Sequence, residues 1–110
     1  MTLKKPASSK RSTLPRTSDY TKTFLKDWDR LTRSGRFDMK RLKEVMLLLI
    51  AKDGPLGPEW TDHPLKGNKA DFRECHVGGD FLLIYSIEAT PQGEVVVFAR
   101  TGTHTDLFDE

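Results

Sequence analysis

The chain has 110 residues, 36% of them hydrophobic and 31% charged, with a net charge of +2. That length suits one domain with a single modest core, and the composition excludes a disordered chain. There is no uninterrupted apolar run of the kind a transmembrane helix needs, and the N-terminal stretch lacks the apolar segment of a secretory signal. The small net charge conceals a split. Residues 1–50 hold thirteen Lys/Arg against five Asp/Glu, whereas residues 51–110 hold five against eleven. A basic half of this size can attract a polyanion, or it can be an ordinary solvated helix surface. The single cysteine, Cys75, rules out an internal disulfide and fits a reducing compartment, hence the cytoplasm.

Residues 1–10 read as a disordered basic arm, leaving 11–110 as the single domain. The run "STLPRTS" suggests a short edge strand, since Pro15 cannot donate to a central ladder. Ser18 is the expected N-cap of a first helix, with Asp19 in its first turn. Tyr20, Phe24, Trp28 and Leu31 recur at helical spacing, and Gly35 supplies the stop. Asp38 is placed to cap a second helix, "MKRLKEVMLLLIAKD", with Phe37 and Leu42 as a hydrophobic staple. The short connection favours an antiparallel helical hairpin. "GPLGPEW" then breaks the helical pattern.

Three β-rich runs follow: "DFRECHV", "FLLIYSIE" and "EVVVFAR". The glycine pair 78–79 and the segment "ATPQG" join them as consecutive hairpins, giving an antiparallel meander. The expected fold is therefore α+β, a helical hairpin packed on one face of a small, mainly antiparallel sheet. The other face is then available for a site. Near the C-terminus Thr103 and Asp106 stand at capping-box spacing, predicting a short helical turn with His104 inside it.

The three histidines, His63, His76 and His104, all lie in the second half. Asp80 opens the middle strand, across a hairpin from His76. Three readings compete for them. One is a metal site using His63, Cys75, His76, Asp80 and His104, but the spacing matches no closed Cys/His zinc pattern. Adjacent Cys75 and His76 also point to opposite faces of a strand. The second is structural, with each histidine a hydrogen-bonding residue and His104 merely part of a capped turn. The third is acid–base cleavage of RNA through its own 2′-hydroxyl. That reaction needs a base for the 2′-proton, an acid for the leaving 5′-oxygen, and a cation on the phosphate. Histidine suits both proton roles, and Arg73 or Arg100 suits the third. Phe81 and Phe108 could stack on unpaired bases or pack in the core.

The motifs "DHPLKG", "FRECHVGGDFLLIY" and "RTGTHTDLF" fall in order and at close spacing. Together they resemble the YafQ branch of the RelE/ParE toxin superfamily, toxins of bacterial type II toxin–antitoxin systems. The resemblance covers roughly residues 12–108 in element order and is specific mainly over 61–108. It implies a microbial-RNase-like fold and a ribosome-dependent endoribonuclease that enters the ribosomal A site and cuts translated mRNA without a metal or other cofactor. The family's catalytic positions fall on His63, His76, Asp80 and His104, with Phe108 beside them. The family pattern has tryptophan where this chain has Phe81. On this reading His104 is the general acid and Asp80 or His76 the base or its orienter, with the reverse assignment of acid and base as the alternative, while His63 and Arg73 or Arg100 steady the phosphate. Lys22, Lys26, Arg33, Arg36, Lys40 and Arg41 are candidate ribosome contacts. A cognate antitoxin is expected as partner, linking the complex to DNA indirectly. The alternatives are a ParE-like gyrase poison, which would have no use for an acid–base pair, and a non-catalytic toxin-like binding module.

Overall fold

The computed structural model describes residues 14–51 and 54–108. Their elements are β1 (Thr17–Tyr20), α1 (Lys22–Ser34), α2 (Met39–Ala51), β2 (His63–Pro64), β3 (Arg73–Gly78), β4 (Phe81–Thr90), β5 (Gly93–Gly102) and α3 (His104–Phe108). The proposed arm, residues 1–10, lies outside the described residues. No described helix is long and apolar enough to cross a membrane.

The five strands form one sheet in the order β1-β5-β4-β3-β2. All pairings are antiparallel except β1 with β5, which runs parallel. The meander is thus present, extended by an edge strand on each side. The expected N-terminal strand is shifted towards the helix, and this displaces the Ser18 cap. Ser18, Asp19 and Tyr20 pair with Val96, Val97 and Phe98 of β5. Thr21 caps α1 instead, its hydroxyl accepting from the Phe24 N–H at 3.0 Å. The same hydroxyl donates to the Ala99 carbonyl at 2.7 Å, so the cap also ties the helix start to β5. Gly35 ends α1 in the left-handed region, at φ 69°. Asp38 accepts from the Arg41 N–H at the start of α2, as the sequence predicts.

Strand alternation divides the sheet into two unlike faces. Cys75, Val77, Leu83, Tyr85, Val96 and Phe98 join Phe24, Leu31, Leu42, Val45 and Leu49 of the helices in one buried cluster. Deleting a side chain such as Leu42 from that cluster would cost about 2–5 kcal/mol. Trp60 seals one end of the core. The Arg41 guanidinium lies 4.1 Å from its ring, and Arg41 Nε donates to the Val77 carbonyl at 2.6 Å. These two contacts fasten the β3–β4 hairpin to α2. The residues of opposite parity on β3, Glu74 and His76, face away from the helices.

Candidate active site

Register brings the second face together. His63 of β2 stands opposite Glu74 of β3, and His76 lies two residues further along the same face. Glu74 is buried and its Oε2 serves both rings: His63 Nε2 at 3.4 Å and His76 Nε2 at 3.2 Å. His63 Nδ1 is 2.8 Å from the Thr61 carbonyl, which fixes the orientation of that ring. Thr61 is the one described non-glycine residue with positive φ, 47°, at the turn that delivers His63 to the sheet.

His104 reaches the group from the other end of the meander. The expected capping box is present in both directions: Asp106 N–H donates to the Thr103 hydroxyl, and Thr103 N–H donates to Asp106, each at 3.1 Å. The box sets His104 in the first turn of α3. There its ring Nδ1 is 2.5 Å from Asp80 Oδ1, and its backbone N–H donates to the same oxygen at 3.0 Å. These two bonds hold the Asp80 carboxyl below its usual range, the backbone bond contributing most. Neighbouring ring centroids stand 6.0 Å apart for His63–His76, 6.2 Å for His76–His104 and 6.0 Å for His104–Phe108. The four aromatic rings therefore form a row in steps of 6.0 to 6.2 Å. Two of the histidines share Glu74 and the third is held by Asp80.

The expected arginines are each committed to a carboxylate, and Arg100 also lines a pocket with Lys69 and Phe108. Arg73 pairs across the sheet with Tyr85, on the helix-facing side. Its guanidinium donates to Asp62 at 2.8 and 3.1 Å, and the Tyr85 hydroxyl donates to the other Asp62 oxygen. Arg100 is drawn to Asp27 of α1, donating at 2.8 and 3.2 Å, and Asp27 also accepts from the Thr101 N–H. In both cases a carboxylate holds the guanidinium and raises its pKa further. Phe81 is not displayed for stacking on a base at this row. It is 5% exposed and packs on Phe37 with centroids 4.9 Å apart.

Two relevant residues escape a sequence reading. Glu74 is inconspicuous in "FRECHV" until the register sets it beside His63. Lys69 lies in a 3-10 turn, Gly67–Lys69, with its ammonium 5.2 Å from the Phe108 ring centroid. It makes no ion pair among the described residues. Of the candidate ribosome contacts, Lys22, Lys26, Arg33, Arg36 and Lys40 are exposed, whereas Arg41 is half-buried and committed to Val77 and Trp60.

His63, Glu74 and His76 each offer a donor atom, all within 4.8 Å of one another. Two imidazoles and a carboxylate suit a transition-metal ion. The same donors suit proton transfer, because Glu74 can stabilise an imidazolium on either side.

The chain matches the family model described as "Bacterial toxin of type II toxin-antitoxin system, YafQ" over residues 16–109. It is 37% identical over 95 residues to the mRNA interferase toxin YafQ of Escherichia coli K12, spanning 86% of this chain and 98% of that one. Its fold is similar to that of a chain in the crystal structure of the E. coli DinJ–YafQ complex, with TM-score 0.73 and 38% identity. That match covers 84% of this chain and 98% of the other. It is likewise similar to a metal-bound toxin from Helicobacter pylori, with TM-score 0.72 and 42% identity over 84% of this chain and 99% of the other.

Proposed function

The chain belongs to the YafQ family of bacterial type II toxins, and from that premise we propose that it is an mRNA interferase, a ribosome-dependent endoribonuclease that inhibits translation. The observation that carries this reading is the pair of histidine–carboxylate units, His76 with Glu74 and His104 with Asp80, whose rings stand 6.2 Å apart.

A phosphodiester set between those rings meets both proton-transfer groups the reaction needs. The His76 imidazole, neutral and oriented by Glu74, takes the 2′-hydroxyl proton as the 2′-oxygen attacks phosphorus. The bond from phosphorus to the 5′-oxygen breaks, and His104 delivers a proton to that oxygen. The products are a 2′,3′-cyclic phosphate and a 5′-hydroxyl end. Asp80 holds Nδ1 of His104, and its carboxylate stabilises the imidazolium beforehand. His63, on the far side of Glu74, holds that carboxylate in place. Phe108 offers a face to an unpaired base. Lys69 and Arg100 line one pocket with Phe108 and are the cations available as charge builds on the phosphate.

The exposed Lys22, Lys26 and Arg33 of α1 and Lys40 of α2 are suited to ribosomal RNA. A cytoplasmic toxin of this kind requires restraint. The E. coli relative is found in a complex with DinJ, and we extend that arrangement to an antitoxin partner for this chain. The test is cleavage by purified protein of one message, naked and in translating ribosomes. Discrete new 5′ ends on the ribosome and little cutting of naked RNA are expected. Equal cutting of both would remove ribosome dependence. No cutting on either substrate would remove the endoribonuclease, leaving a non-catalytic module or a gyrase poison.

A further inference from the structure

Next to the histidine row, at the hairpin end of the sheet, the structure has an open cavity of about 380 Å³. Its wall towards the row is Asp80 and Thr103, the residues that hold and precede His104. Its floor is apolar, formed by Val77 and the Phe37–Phe81 pair, whose rings meet at 60°. Its opposite side carries Arg36 and Arg41. Arg41 is fixed by its bond to Val77 and by Trp60, so it is a cation already in position. Arg36 is exposed, and its guanidinium makes no ion pair among the described residues.

We propose that this cavity is a nucleotide subsite, holding the nucleotide that adjoins the scissile phosphate of the RNA substrate. The inference rests on the endoribonuclease reading above and assigns to Arg36, Phe37 and Arg41 a role in gripping substrate. A strand whose phosphate lies between His76 and His104 lies beside Asp80, which holds His104 and also lines the cavity. The partly exposed Phe37 ring with an adjacent guanidinium suits a base, and the arginines suit the phosphate attached to it. The two carboxylates in the lining, Asp38 and Asp80, point the same way. They accept hydrogen bonds from exocyclic amino groups of a base, whereas they would repel an acidic peptide side chain brought in by the arginines.

The experiment uses the full chain with Arg36→Ala and, separately, Phe37→Leu. Each is assayed by single-turnover cleavage of mRNA on ribosomes, by mapping 5′ ends over many sites, by ribosome pelleting and by antitoxin binding. Arg36 is exposed, so its removal leaves the core intact. Both variants are expected to slow cleavage by about tenfold, the loss of one charged hydrogen bond or one stacked base. Both are expected to change the base preference at one fixed position next to the cut, with ribosome pelleting unchanged. Weaker pelleting with unchanged base preference would make Arg36 a ribosome contact and overturn the subsite. Lost antitoxin binding with unaltered cleavage would make the cavity a protein pocket and overturn it equally. Wild-type rate and preference in both variants would do the same. A wild-type protein that never cuts removes the premise itself, a result distinct from a wild type that cuts and variants that match it.

Discussion

His104 is bound twice by one oxygen of Asp80, through its ring at 2.5 Å and through its backbone N–H at 3.0 Å. The double contact fixes where the imidazole is. Replacing His104 with Gln should lower single-turnover cleavage on ribosomes by ~10²–10⁴-fold while the protein stays folded. Asp80→Asn keeps the ring neighbour but removes the charge, so it should lose less activity and shift the pH–rate profile. A folded His104→Gln protein with near-wild-type cleavage would take His104 out of the reaction.

Asp106 links the same turn to stability. Its carboxyl is held below the usual range first by the Thr103 N–H, with Arg30 adding to the effect. A carboxyl with a depressed folded pKa stabilises the fold above its ordinary value and ceases to do so as pH falls through the lower, folded value. Asp106→Asn should therefore cost about 1 kcal/mol near neutrality. The gap from wild type should close in acid, below the ordinary value of 3.8. Denaturation midpoints measured from pH 7 to pH 2 test this, and a gap that widens in acid would contradict the sign.

Glu74 is the residue whose importance only the register reveals. It is 5% exposed and stands between two imidazoles. Glu74→Gln preserves shape and hydrogen-bonding capacity but leaves no negative charge to stabilise an imidazolium on His76. Cleavage should fall by about 10²-fold, chiefly in kcat, with the pH optimum displaced. Glu74→Asp should recover part of the loss. A Gln variant with wild-type kcat and pH profile would reduce Glu74 to a packing residue.

The architecture was legible where periodicity was strong. The apolar spacing of α1 and α2, the glycine turns and the alternation in the meander all follow from local chemistry. That His76 and Asp80 flank a hairpin and that His104 sits in a capping box was legible, whereas the place of His63 beside them follows from the register of β2 with β3. What escaped is set by contacts distant in sequence. Parity puts Arg73 on the opposite face from Glu74 and His76, and Arg100 is claimed by Asp27, 73 residues away. The N-cap moved from Ser18 to Thr21 because Ser18 is needed as a strand residue beside β5. Phe81 is buried by Phe37, which belongs to a connection between helices that no strand pattern could foresee.

Cys75 provides a test of the core. It lies on the helix-facing side, fully buried, and burial pushes its thiol up to about 12, with Asp62 and Glu74 adding in the same direction. A thiolate is the reactive form, so the native protein should resist alkylation at pH 8. Labelling should begin in denaturant, with the same midpoint as the loss of helical circular dichroism. Rapid labelling of native protein would show that the β3–β4 region opens far below the global transition.

The donor set His63, Glu74 and His76 makes a final prediction about metals. A transition-metal ion held there would take the lone pairs of the two imidazoles, and a coordinated His76 can no longer accept the 2′-proton. In the mechanism proposed here metal is therefore a competitor of the substrate. Micromolar Zn²⁺ or Cu²⁺ should inhibit ribosome-bound cleavage, and a chelator should restore the full rate. Inhibition should weaken as pH falls, because protons displace metal from imidazole. His63→Gln should relieve inhibition by removing a ligand while leaving the Glu74–His76 and Asp80–His104 units in place. Loss of activity on chelation, restored by added metal, would overturn the metal-independent mechanism and turn the three donors into a catalytic centre.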